Sequence, residues 1–147
     1  TSSLVGSEMC IRDRYQSWDE YPLNKAINRI EYCQKHPFHG QIGNYQFGLY
    51  LKENNRLIGD IFIEIDGHTT FTLGYTLDSV YWSKGYASEA LKSVFKAMHE
   101  TYSFKICLCH VYEDNIKSIK LLERNGFDKI HKSWFYQDVL YRKMLNK

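Results

Sequence analysis

The chain has no long apolar run, no block of like charge and almost no excess of either sign. No stretch approaches the roughly 18 to 20 consecutive apolar residues that a membrane-spanning helix needs, and no charged start leads into an apolar stretch of the kind a secretory leader shows. With 19 Lys and Arg against 17 Asp and Glu, the net charge is +2, and Lys and Arg never gather into a run of five or more. Nucleic acid and anionic membrane are therefore poor candidates for a partner. Cysteine is scarce too: of the 4 present, two fall in the strand-like Cys107-Leu108-Cys109. Without an export signal these fit reduced thiols better than a disulfide framework, and a cytoplasmic location is expected. Neither internal repeats, nor a linker, nor low-complexity segments interrupt the chain.

What is present suits a single globular domain: 147 residues, 44% hydrophobic and 16% aromatic. The first 14 residues stand apart. Leu4 to Asp13, LVGSEMCIRD, resembles the in-frame translation of a transposon-type sequencing-library adapter; the alternative is a native disordered leader. On the adapter reading, residues 1–14 are foreign to the fold and the domain occupies residues 15–147, lacking its natural front end. The segment's charges, Glu8, Arg12, Asp13 and Arg14, cancel, so the charge reading stands without it.

From Tyr21 the sequence YPLNKAINRIEYCQKH sets Leu23, Ala26, Ile27 and Ile30 at spacings of three and four, which predicts an amphipathic helix. Strands are expected at Tyr45 to Leu51, at Leu57 to Ile65, where Ile61, Ile63 and Ile65 alternate with Phe62 and Glu64, and, after a tight turn at Asp66-Gly67, at Thr70 to Leu77. Ala87, Ala90, Leu91, Val94, Phe95 and Met98 then mark a helix with one buried stripe. A strand from Phe104 to Val111 follows. A short helix from about Asn115 carries Ile116, Ile119 and Leu122, with Gly126 where a left-handed cap is wanted. Strand-like pieces at Phe127 to Ile130 and Trp134 to Met144 close the chain. This order predicts a mixed α/β (α+β) sheet flanked by helices.

The chemistry is expected where the third strand runs into the long helix, at Trp82-Ser83-Lys84-Gly85-Tyr86-Ala87-Ser88-Glu89. A helix start offers unpaired N–H groups and partial positive charge, so backbone alone can hold a phosphate there. Gly85 permits close approach, Ala87 keeps bulk away, and Ser88 adds a hydroxyl. Taken alone, a Gly and a Ser before a helix more often make an ordinary turn and cap.

The stretch Gly74-Tyr75-Thr76-Leu77 through Tyr81-Trp82-Ser83-Lys84-Gly85-Tyr86-Ala87-Ser88-Glu89-Ala90 resembles the acetyl-CoA motif of GNAT-superfamily N-acetyltransferases, whose Arg/Gln-x-x-Gly-x-Gly/Ala loop wraps the CoA pyrophosphate. Gly85 and Ala87 match. Trp82 stands at the Arg/Gln position, and Ser83 where members of the ribosomal-protein alanine acetyltransferase group usually have Gly. A second signature follows in order, Asn115-x-x-Ser118-x-x-Leu121-Leu122-Glu123-Arg124-Asn125-Gly126-Phe127. The similarity runs from Tyr15-Gln16-Ser17-Trp18 to the closing strands, and it implies a mostly antiparallel central sheet whose first strand and helix are missing. Tyr45 to Leu51 would then be an exposed, aggregation-prone sheet edge.

The resemblance further implies acetyl-CoA as co-substrate and an amine, either a protein N-terminus or a small molecule, as acceptor, with direct attack on the thioester. Pantetheine would pair with backbone near Tyr75 and Leu77, between two strands that splay apart, and an N–H near Tyr75 would steady the developing oxyanion. Trp82, Ser83, Lys84, Gly85, Tyr86, Ala87 and Ser88 would receive the pyrophosphate, and Asn115 would hold the cofactor or the helix start. The Tyr that many members use to protonate the leaving thiolate aligns with Leu122, which places that role on Ser118. Thr72 occupies the place of the usual Glu base, leaving Glu64 as a substitute against the alternatives of a water relay or a plain solvent-exposed carboxylate. Cys107 and Cys109 are expected to fill strand faces. His36-Pro37-Phe38-His39 and Cys107, Cys109, His110 lack the ligand count and spacing of a structural metal site, so none is expected. The departures at Ser83, Thr72 and Leu122 also admit a non-catalytic acyl-CoA-binding module.

Overall fold

A computed structural model describes residues 2–5, 38–51, 54, 56–132 and 138–145. Their elements are β1 (Ser2–Val5), β2 (Gly43–Leu51), β3 (Leu57–Ile65), β4 (Thr70–Leu77), a 3-10 turn (Ser79–Tyr81), α1 (Tyr86–Glu100), β5 (Ile106–Tyr112), α2 (Ile116–Arg124), β6 (Asp128–Lys132) and β7 (Asp138–Met144). The helix expected from Tyr21, the segment Tyr15 to Trp18, most of residues 1–14 and Trp134 to Tyr136 lie outside the described residues.

The strands form one seven-stranded sheet in the order β1-β2-β3-β4-β5-β7-β6. Every neighbouring pair is antiparallel except β4 and β5. That one parallel pair needs a crossover, and α1 supplies it.

Register sorts the side chains into two faces, because paired residues point the same way and successive residues alternate. Tyr45 and Phe47 pair with Ile63 and Ile61, which pair in turn with Leu73 and Tyr75. Phe71 and Leu73 continue into Cys107 and Cys109, and Cys109 into Tyr141. This face is the apolar core. It shares one buried cluster with Leu91, Val94 and Met98 of α1 and Leu121 and Leu122 of α2. Leu91, Val94 and Met98 are each 1% exposed, a burial that contributes about 1.5–3 kcal/mol per side chain. The opposite face carries Gln46, Asp60, Phe62, Glu64, Thr72, Gly74, Thr76, Leu108 and His110.

The structure corrects the sequence reading in three places. The strand at 43–51 is not left as a bare edge: Ser2 to Val5 pair antiparallel with Leu51 to Gly48, so part of the segment set aside as foreign occupies the sheet border. Asp66-Gly67 makes no two-residue turn. Ile65 pairs with Phe71 across a five-residue bend, and Gly67 stays out of the left-handed region that such a turn requires. Phe104 precedes its strand rather than starting it. Its N–H closes the end of α1 on the Met98 carbonyl (3.0 Å), and its ring meets Phe71 edge-on at 5.6 Å.

Candidate functional site

β4 ends at Leu77, and the Asp78 N–H still bonds the Ile58 carbonyl of β3 (2.8 Å). After the 3-10 turn, Trp82 is extended, Ser83 (φ 61°) and Gly85 (φ 82°) are left-handed, and α1 begins at Tyr86. The first i→i−4 bond runs from the Glu89 N–H to the Gly85 carbonyl (3.0 Å). Gly85 is the N-cap and has no side chain to satisfy the preceding N–H groups, so they face outward with the positive end of the helix dipole. A side chain at Gly85 would meet nothing within 4 Å. Gly85 is thus required by its backbone angle, and the space around it is open to a ligand.

Ser83, standing where glycine is usual in the resembled loop, keeps the left-handed turn at a cost of about 1 kcal/mol. Trp82, in the Arg/Gln position, has a structural partner: its indole N–H donates to the Leu77 carbonyl (2.8 Å). It also collects a cation, since Lys117 Nζ lies 4.6 Å from the ring centroid. Lys84 Nζ stands 5.9 Å from the Tyr81 ring, and Tyr81 tilts against Tyr86 at 6.1 Å. The Tyr86 ring therefore packs within the loop, leaving its backbone as the group it offers.

β4 and β5 pair only from Thr70 and Ile106 to Leu73 and Cys109. Beyond that point, at Gly74 and His110, the parallel pairing ends, and the sheet has the opening in which an extended ligand can lie as an added strand. Tyr75 stands at its border. Its hydroxyl meets Ser118 Oγ at 2.5 Å. Burial pushes the Tyr75 phenol well above its ordinary value, and the Ser118 bond only partly opposes this, so the phenol is kept as a proton donor. Ser118 is itself fixed: Asn115 Oδ1, capping α2, accepts its backbone N–H (3.2 Å). Next to it, Ile61, Tyr75 and Leu77 of the sheet and Ala87, Ala90 and Leu91 of α1 line a narrow crevice of about 10 Å³.

Most of the expected residues fall into three bonded groups. Tyr75, Ser118 and Asn115 form one bonded chain; Leu77 and Trp82 another, joined to α2 through Lys117; and Ser88 Oγ accepts a bond from Asn125 Nδ2 (3.1 Å), tying the start of α1 to the end of α2. Glu64 is elsewhere. It is exposed, paired with Thr72, on the face away from Tyr75 and Ser118. Leu122 is fully buried in the core. Two contributors escaped the sequence reading. The Tyr75 hydroxyl was considered only through its backbone, although the alternation Phe71, Leu73, Tyr75 signals which way it points. Lys117 left no local signal, because it reaches the loop through the Trp82 ring.

Cys107 and Cys109 are buried thiols, and burial pushes the Cys107 thiol well above its ordinary value, which leaves it a packing residue rather than a nucleophile. Among the described residues no three His, Cys, Asp or Glu side chains gather as a metal site, and no helix is long and apolar enough to cross a membrane.

Over residues 4–128 the chain matches the acetyltransferase (GNAT) domain family. It is 37% identical over 90 residues to the "Probable N-acetyltransferase YjcK" of Bacillus subtilis (strain 168), an overlap covering 58% of this chain and 49% of that protein. The chain thus spans about half the length of this curated relative. Its fold is similar to that of an acetyltransferase (GNAT family) from Bacillus anthracis, with a TM-score of 0.66 at 19% identity over 83% of this chain and 76% of the other. It is also similar to a mutant spermidine/spermine N-acetyltransferase SpeG from Vibrio cholerae, with a TM-score of 0.74 at 18% identity over 100% and 96%. The same holds for FdhC, a nucleotide-linked sugar GNAT, with a TM-score of 0.77 at 18% identity over 98% and 86%.

Proposed function

Because the chain belongs to the GNAT acetyltransferase family, we propose that it transfers the acetyl group of acetyl-CoA to a primary amine by direct attack on the thioester. The acceptor is a protein N-terminus or a small molecule. The observation that carries this reading is the protonated Tyr75 phenol bonded to Ser118 Oγ at the end of the β4–β5 pairing. In this scheme the uncapped start of α1, from Gly85 to Ser88, holds the pyrophosphate by backbone N–H groups, with Lys84 and Lys117 contributing charge. The acyl chain lies along β4 near Leu77 and Tyr75. As the C–S bond breaks, the thiolate takes its proton from the Tyr75–Ser118 pair, and a backbone N–H near Tyr75 steadies the oxyanion at a gain of about 3 kcal/mol.

This scheme moves the proton-donor role from Ser118 alone to the pair. It also replaces the tyrosine lost at Leu122 by one from a different element on the same face.

Calorimetric titration of acetyl-CoA into the chain, with a Gly85→Asp, Ala87→Asp double variant as control, tests the cofactor site. Acetyl transfer to a panel of amines, including spermidine and alanine-terminated peptides, tests the reaction. Saturable binding lost in the variant, together with transfer to an amine, supports the reading. Absence of binding by folded protein overturns it, and binding without transfer to any amine favours a non-catalytic acyl-CoA-binding module, for which the departures at Ser83 and Leu122 speak.

A further inference from the structure

We propose that His110, held by Asp138, accepts the proton that the acceptor amine loses on its way to the thioester. This rests on the acetyl-transfer reading above. His110 is the first residue of β5 beyond the last parallel pair, Leu73 with Cys109, and so borders the strand opening directly. Its side chain projects from the face opposite Tyr75 and Ser118, because Cys109 and Tyr75 belong to the core face and His110 alternates away from it. Thr72 and Leu108 are paired on that same face, and two residues further along come Gly74 and His110. Across the opening from the imidazole the chain therefore places a residue with no side chain, which leaves an entry for a ligand.

The ring is held in one orientation. His110 Nδ1 lies 3.0 Å from Asp138 Oδ2 of β7, so Nδ1–H donates to the carboxylate and Nε2 is left as the accepting nitrogen. His110 is 54% exposed at its side chain, which keeps Nε2 reachable. The charged and titratable groups on this face are Asp138 and Arg142 of β7, Asp128 and His131 of β6, Tyr112 on β5 itself, Glu64 of β3 in the row of Thr72 and Leu108, and Asp60 of β3, whose carboxylate accepts from Gln46 and Thr76. Asp138 is the one in contact. Glu64 is separated from β5 by the whole of β4, so of the two candidate bases His110 is the nearer to the opening.

The step balances. An ammonium gives its proton to His110 Nε2, the free amine forms a C–N bond to the acetyl carbon, and the C–S bond breaks. The thiolate takes a proton from the Tyr75–Ser118 pair on the helix side, the nitrogen sheds its second proton as the amide forms and water relays it back to that pair, and the imidazolium returns its own proton to solvent, so that one proton is released in all. Proton acceptor and proton donor then stand on opposite faces of one opening. Asp138 is a positioning residue that acts through the imidazole.

The test compares the wild-type chain with His110→Gln and Asp138→Asn, in acetyl transfer to the amine panel across pH and in acetyl-CoA titration. A fall in kcat/KM of about a hundredfold for His110→Gln supports the assignment, with the acidic limb of the pH profile flattened and the acetyl-CoA Kd unchanged. So does a fall of about tenfold for Asp138→Asn carried by kcat rather than by KM. Partial rescue of His110→Ala by added imidazole is a readout that a merely structural histidine would not give. His110→Gln with more than half the wild-type rate overturns the assignment. In parallel, the His110 ring signals are followed by NMR as acetyl-CoA is added: a shift is expected, and unmoved signals with cofactor bound overturn it too. A wild-type chain that acetylates no amine would sink the functional reading instead, and the ring signals then decide the place of His110 beside the thioester by themselves.

Discussion

The hydroxyl of Tyr75 on β4 and the Oγ of Ser118 in the first turn of α2 meet at 2.5 Å although 43 positions separate them. The bond joins the strand that borders the sheet opening to the start of α2. If the pair protonates the leaving thiolate, Tyr75→Phe lowers kcat by about a hundredfold or more, with the acetyl-CoA Kd nearly unchanged. Ser118→Ala costs less, because the phenol keeps its proton without the serine. Steady-state kinetics beside calorimetry separates these outcomes; an equal effect on binding would mean that the pair shapes the pocket and does no proton transfer.

Burial raises both the Tyr75 phenol and the Cys107 thiol. A group whose pKa is raised on folding contributes stability that is fully present below its unfolded value and is lost as pH climbs through the folded one. The unfolded values are about 10 for Tyr and 8.5 for Cys. Stability should therefore fall from about pH 9 upward, and Tyr75→Phe, which cannot ionise, should remove part of that decline. Denaturant midpoints measured from pH 8 to 11 give the comparison.

Ser83→Gly should raise stability or leave it unchanged, by up to about 1 kcal/mol. It relieves a left-handed serine (φ 61°) but frees the unfolded chain. Acetyl-CoA affinity should not drop, since the turn is the same. Gly85→Ala meets no neighbouring atom, yet forces alanine to φ 82° and should cost about 1 to 2 kcal/mol. Thermal unfolding of the two variants should show a loss at Gly85 and none at Ser83.

Asn115→Ala removes the cap on α2 and should destabilise by about 1 kcal/mol. It should also lower kcat, because the cap fixes the backbone that carries Ser118. A variant that loses stability at full kcat would separate the cap from the site.

Gly59→Ala probes the sheet itself. A Cβ there would fall well inside contact with the Thr76 carbonyl oxygen and press on the Leu77 backbone, neither of which is a flexible group. A loss of about 1 to 3 kcal/mol is expected, with weakened cofactor binding because β4 leads into the loop. Chemical denaturation and calorimetry on this one variant check both.

The central elements were legible because their signals are local and redundant. Ile61, Ile63 and Ile65 alternate with period two and all three are buried, and Leu91, Val94 and Met98 repeat at helical spacing and all face the core. Gly126 takes the left-handed φ of 88° expected of a helix cap, with the Phe127 N–H returning to the Leu122 carbonyl (3.0 Å). The turn at Asp66-Gly67 misled, since the dipeptide permits a two-residue turn without requiring one, and the register of β3 with β4 is set by the packing of both faces. Likewise, the pairing of Ser2–Val5 with β2 carries little mark in composition, because an edge strand is selected by the unpaired backbone of its neighbour.

The sequence by itself determined the central strands from Tyr45 to Leu77, the two helices that follow them, a mixed and mostly antiparallel sheet, and a glycine loop that opens the first of those helices. These follow from side-chain periodicity and backbone freedom, properties each segment carries alone. Only the tertiary structure decided which side chains share a face and meet. It turned Tyr75 toward Ser118, set Lys117 on Trp82, tied His110 to Asp138 and left Glu64 on the far face from the tyrosine. Each of those meetings depends on strand register and helix placement across at least 28 positions of chain, and no local pattern encodes a distance of that kind.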